Sequence, residues 1–192
     1  MDIVNTLETI IPKMRGQMYQ KKIYSLAVVN EIVEKEGKYY SINDLDIFFA
    51  KIGVYLKSQE VTELLNHCQH SKTQIDLIRM VNLLKTEIPK ELVQCMEQIF
   101  EKISGKQQVM DVEELFQHLN EKEYPQSELM NNNHQVIRDT IIKEIYKMID
   151  NNKVISKEQF ITFHYNIFWV LPNYRIKDFK YKLPRLWGIR KL

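Results

Sequence analysis

The chain has 192 residues, enough for one large domain or two small ones, and its 44% hydrophobic content is that of a globular protein. No apolar run approaches the roughly 20 residues of a membrane span. Two cysteines make no disulfide framework and point to a reducing, intracellular setting, and the first residues lack the long apolar core of a secretory signal. The net charge of +2 is uneven: residues 174–192 hold seven of the 27 Lys and Arg but one of the 25 Asp and Glu, so an acidic body carries a basic, aromatic C-terminus.

Five Gly and five Pro are few, so helices dominate. Residues 1–19 read as an N-terminal extension. An amphipathic helix is expected over 23–33, then a loop ending near Tyr40, then a helix with Leu45, Phe48 and Phe49 on one face. The same order follows three more times. The helix over 58–68, with Ser58 as its cap, precedes Ile75 and a face of Met80, Leu83 and Leu84. The helix over 89–103, with Pro89 early in it, precedes Met110 and a face of Leu115, His118 and Leu119. The helix over 133–149 precedes Ile155 and a face of Phe160, Phe163 and His164. Tyr40, Ile75, Met110 and Ile155 stand 35, 35 and 45 residues apart, and the longer interval is an inserted loop near 120–132.

A helix, a loop of this length, one apolar residue and a second helix is the outline of an EF-hand. Such units work in pairs through a short β contact at the apolar loop position. The expected fold is therefore all-α: four degenerate EF-hand units in two pairs, over 20–88 and 89–168, with a hinge near 85–91. A helical or extended tail over 169–192 follows.

A calcium loop takes oxygens from positions 1, 3, 5, 7, 9 and 12, with Gly at 6 and a bidentate Glu at 12. With the apolar residue at position 8, positions 1, 3, 6 and 12 are Val33, Lys35, Lys38 and Asp44 in the first loop. They are Cys68, His70, Thr73 and Arg79 in the second, and Ile103, Gly105, Gln108 and Glu114 in the third. In the fourth they are Met148, Asp150, Lys153 and Gln159. No loop has an acid at 1 or Gly at 6, and Lys and Arg offer donors where a cation needs lone pairs. No metal and no cofactor are expected; Asp150, Asn152 and Glu114 are the weak candidates for calcium.

Other chemistries find less support. His67, Cys68 and His70 suggest zinc but have no complementary pair of ligands nearby. Cys95 lies on the apolar side of its helix, as a small core residue does. There is no phosphate loop and no nucleophile elbow. The acidic body argues against nucleic acid. The tail has two readings. Phe179, Leu183 and Trp187 recur at helical spacing and would fold back on the third and fourth units. Alternatively the tail docks on an acidic partner through Arg175, Lys177, Lys180, Lys182, Arg185, Trp187, Arg190 and Lys191.

The order of these features resembles the calcyphosin family of four-EF-hand proteins over roughly residues 10–190. The resemblance is carried by "IPKMRGQMYQKKIYSLAVVNEIV", by "LDIFFAKIGVYLKSQEV", by the insertion before the fourth unit, and by Phe179 and Trp187 eight apart. The chain departs from the family in its calcium ligands, and Pro184 is expected to interrupt the last helix. The resemblance implies a cytoplasmic protein of the cilium or flagellum. The reading is a non-catalytic, calcium-independent structural protein held in a large assembly, the axoneme, on doublet microtubules, with tubulin or another axonemal protein as partner and no membrane insertion. The alternatives are a calcium-responsive signalling adaptor and an accessory subunit of another complex, such as a mitochondrial one.

Overall fold

The structure, a computed structural model, describes residues 6–23, 26–85, 88–124, 127–149, 153–168 and 173–192, and the side chains of all of these except 26, 27, 128, 129, 168 and 173–178. The described residues are mostly helical, with two small antiparallel sheets. None of their helices is long and apolar enough to cross a membrane. The chain divides into two compact units, Met1–Thr86 with Ile167–Pro172, and Glu87–Asn166 with Asn173–Leu192.

The first unit runs α1 (Leu7–Gln20), α2 (Leu26–Glu36), β1 (Tyr39–Ser41), α3 (Leu45–Lys51), α4 (Ser58–Cys68), β2 (Gln74–Asp76) and α5 (Leu77–Leu84). Tyr40 pairs with Ile75 in the β1–β2 register. The second unit holds α6 (Lys90–Ile103), β3 (Val109–Asp111), α7 (Val112–Gln117), α8 (His134–Tyr146), β4 (Val154–Ser156), most of α9 (Lys157–Phe168), and α10 (Asn173–Leu186). Here Met110 pairs with Ile155. The four apolar residues picked out by the repeat thus meet two by two across the short ladders. Each strand is three residues long, and a helical turn takes over the backbone directly after it.

The helical faces expected to be apolar are the ones buried. Leu45, Phe48, Phe49, Met80, Leu84, Leu115, Leu119, Phe160, Phe163 and His164 are all buried, with Leu83 and His118 half-buried. At roughly 1.5–3 kcal/mol for each large apolar side chain, this burial is the main force holding both units.

Four expectations need correction. Residues 7–20 are not an extension but α1, which lays Ile10, Ile11, Met14 and Met18 into the first core against α4 and α5. Pro12 sits inside this helix and hides its apolar period. The inserted loop is two 3-10 turns, Glu121–Glu123 and Ser127–Met130, tied down by buried Tyr124 and Met130. Helix α4 begins at Ser58 rather than being capped by it. The Glu60 carboxylate accepts the Lys57 N–H at 2.7 Å and moves the cap one residue back. Pro89 likewise precedes α6 rather than lying in it.

Candidate partner-binding cleft

Helix α10 folds onto the second core. Its apolar stripe, Phe179, Leu183 and Trp187, is buried, as are Leu186 and Ile189. Trp187, expected among the partner-binding residues, is a core residue with no exposed surface. Its indole Nε1–H donates to His164 Nε2 at 2.7 Å, and His164 Nδ1 lies 2.7 Å from the Phe160 carbonyl. An indole can only donate and a carbonyl can only accept. His164 is therefore the neutral tautomer with its proton on Nδ1. Burial pushes its pKa down to about 3, against an opposite pull from the Phe160 carbonyl.

Pro184 does not interrupt the helix, which continues to Leu186. It lies in the last turn, where it removes the N–H that would donate to the Lys180 carbonyl without ending the helix. Its carbonyl accepts the Ile189 N–H at 2.8 Å, and the Arg185 carbonyl accepts the Gly188 N–H at 3.1 Å. With Gly188 at φ +67°, this is a Schellman stop. A side chain there would also meet the His118 carbonyl oxygen at 3.1 Å. After the turn, residues 189–192 reach the C-terminal part of α6, where the Lys191 carbonyl accepts from Lys102 Nζ at 2.5 Å.

With the apolar side committed to the core, the cations take the outside. Lys180, Lys182, Arg185, Arg190 and Lys191 are exposed, and the side chains of Arg175 and Lys177 lie outside the described set. A cleft of about 450 Å³ opens between α6 and the α10 segment. Lys180, Arg185 and Arg190 line it, while Lys182 and Lys191 do not. Its other wall is Glu91, Gln94 and Gln98 of α6, with Cys95 below. Glu91 reaches Lys180 at 3.4 Å. Burial pushes the Cys95 thiol up, against the pull of the Lys180 charge, which disfavours its thiolate. The α6 residues were missed in the sequence because nothing local marks them. Only the fold brings them opposite the tail.

Three acids of the loops are engaged by protein groups. Asp76, 6% exposed, accepts the Arg79 N–H at 3.0 Å and lies 3.9 Å from Arg79 Nε and 3.8 Å from Lys38 Nζ. Asp111 caps α7 by accepting from Glu113 and Glu114 N–H, and Glu113 accepts the Tyr146 hydroxyl at 2.6 Å. Glu114 is exposed. Gln159 accepts the Ser156 N–H at 2.8 Å and donates its Nε2 to the Met148 carbonyl at 2.6 Å, bridging the two ends of the fourth loop. In the fourth loop Gln159 thus presents an amide donor at the position where a calcium loop has its bidentate carboxylate. Asp150 and Asn152 lie outside the described residues.

His67, Cys68 and His70 do not converge. His67 faces Glu63 at 3.4 Å, and His70 stacks on Tyr39 with ring centres 3.9 Å apart. Cys68 is buried, which pushes its pKa up to about 12. Among the described residues, no three His, Cys, Asp or Glu side chains gather as a metal cluster.

Among known proteins, no family model matches this chain, and no curated protein sequence matches it.

Proposed function

We propose that this chain is a non-catalytic, calcium-independent binding protein: an EF-hand type of frame, without its ligands, that docks through its C-terminal cationic face inside a larger assembly. One observation carries the reading. The apolar side of α10 is spent on the core while Lys180, Lys182, Arg185 and Arg190 remain exposed, so the cations belong to a folded surface rather than a loose tail. The paired helix–strand–helix units support the frame, and the Gln159 amide donating across the fourth loop supports its independence from calcium.

The resemblance to calcyphosins suggests the ciliary or flagellar axoneme as the setting and doublet microtubules as the support. Tubulin's acidic surface would complement the cationic face. Co-sedimentation of the full chain with microtubules tests this. Binding is expected with or without calcium, to weaken with salt, and to be lost in the combined Lys180→Glu, Lys182→Glu, Arg185→Glu variant. No binding, or binding that requires calcium, would refute it; the second result would favour a calcium-responsive adaptor.

A further inference from the structure

We propose that the cleft between α6 and α10 is a recognition groove for an acidic peptide segment that carries an apolar side chain. This deepens the docking reading above and rests on it. The groove has an axis. Glu91 of α6 pairs with Lys180 at one end, and beyond the other end Lys102 of α6 reaches the Lys191 carbonyl. The two segments therefore run alongside each other in the same direction.

The floor is apolar: Cys95 and Ile189 are 5% and 7% exposed, and Pro184 is half-buried beside them. A volume of about 450 Å³ admits a large side chain together with the backbone that bears it. Tyr181, 75% exposed, stands on the rim as an uncommitted aromatic surface. Gln94 and Gln98 lie one helical turn apart on the α6 wall, and their amides can both donate to and accept from an extended main chain.

Charge selects the occupant. Lys180 already has Glu91. Arg185 and Arg190 make no ion pair with any described residue, and both are exposed on the groove. Guanidinium forks accept carboxylates in a bidentate fashion, which fits Asp or Glu flanking the buried side chain. Glu91 repels acids at its own end, so the segment has a polarity: neutral or basic toward Glu91, acidic toward Arg190. The same carboxylate and the apolar floor disfavour a nucleic-acid strand, which brings phosphates along its whole length and wants stacking platforms.

The test is fluorescence polarisation of the full chain with a labelled Glu-Glu-Phe-Glu-Glu-Tyr peptide. Saturable binding is expected, weakened at least about tenfold by Arg185→Glu and by Arg190→Glu and unchanged by Lys143→Glu, an exposed position on α8 away from the groove. Raising salt from about 50 to about 300 mM should weaken it, and the matching Gln peptide should not bind. Binding that ignores the two Arg variants, or equal binding of the Gln peptide, overturns the proposal. So does a thymidine oligonucleotide that binds more tightly and displaces the peptide. A peptide that fails to bind while the chain still sediments with microtubules overturns the groove and leaves the docking reading standing. Failure of both overturns both.

Discussion

Acidification from pH 7.5 to pH 5.0 should weaken the second unit through one residue, His164. In the folded chain its Nε2 must accept from Trp187, so a proton there would set two N–H groups against each other. Burial holds its pKa near 3, whereas the unfolded imidazole has the ordinary value of 6.5. The unfolded state thus binds the proton first, and stability falls as pH drops below 6.5, with the loss complete only below about 3. At pH 5.0 the gap to the unfolded value is about 1.5 units, which at about 1.4 kcal/mol each is a loss of about 2 kcal/mol. Urea unfolding followed by the Trp187 indole N–H signal reads this unit. Comparison with His164→Gln subtracts the other four histidines, because the variant lacks only this titration. The native imidazole of His164 should not titrate above pH 4. Equal pH slopes in the two proteins, or a native His164 resonance moving near pH 6.5, would refute the tautomer and the burial argument together.

Gly188→Ala should cost about 1–2 kcal/mol, because Gly188 needs φ +67° and lies against the His118 carbonyl; the urea midpoint of the second unit reports it. In Glu60→Gln the first unit loses a carboxylate that holds Lys13 at 2.6 Å and the Lys57 N–H at 2.7 Å, at a cost on the order of 1 kcal/mol. Burial acts to raise the Glu60 carboxyl, and Lys13 and the Lys57 N–H outweigh it, so its pKa is lowered. Its contribution is present above the unfolded value of 4.5 and is lost as pH falls through the lower folded one, so acid unfolding should be shallower in the variant. Gln159→Glu should destabilise the second unit by about 1–2 kcal/mol, since a carboxylate would face the Met148 carbonyl in place of a donor; a stability gain on adding calcium to the wild-type chain would contradict the donor reading.

What the sequence disclosed and what it hid follow from range. The apolar stripes are local, with helical spacing, and each short helix buries one face. Phe160 and Phe163, or Phe48 and Phe49, could therefore be placed inside from their spacing alone. Tyr40–Ile75 and Met110–Ile155 were legible because a repeat puts equivalent residues at equivalent loop positions. Helix α1 was missed because it stands outside the repeat and carries Pro12. Trp187 was ambiguous because an aromatic among cations reads equally as an anchor for a partner or as a core residue. The deciding contact, His164, lies 23 residues away. The groove was invisible for the same reason: the Gln94–Gln98 wall and the Arg185–Arg190 rim are distant in sequence, and neither marks a site without the other.

The loops bear on how such a groove would work. In a calcium sensor the ion supplies the free energy that reorients the helices, so the binding surface is made or hidden by ligand concentration. Here protein groups close the turns. The Gly37 N–H donates to the Val33 carbonyl at 2.8 Å, and the Gln74 carbonyl accepts from His70 and Ser71 at 2.9 and 3.1 Å. Ser104 Oγ donates to the Gln107 carbonyl at 3.0 Å, and Gln159 spans the fourth loop. Such partners do not dissociate into solvent, which on the proposed reading leaves the helix pairs without a ligand-driven step between two arrangements. On the proposed reading the α6–α10 groove is then permanently formed. Its affinity is set by the rim charges of Arg185 and Arg190 and is tuned by ionic strength and by the partner's own charge, not by calcium. That behaviour suits a component that must stay attached while cellular calcium rises and falls.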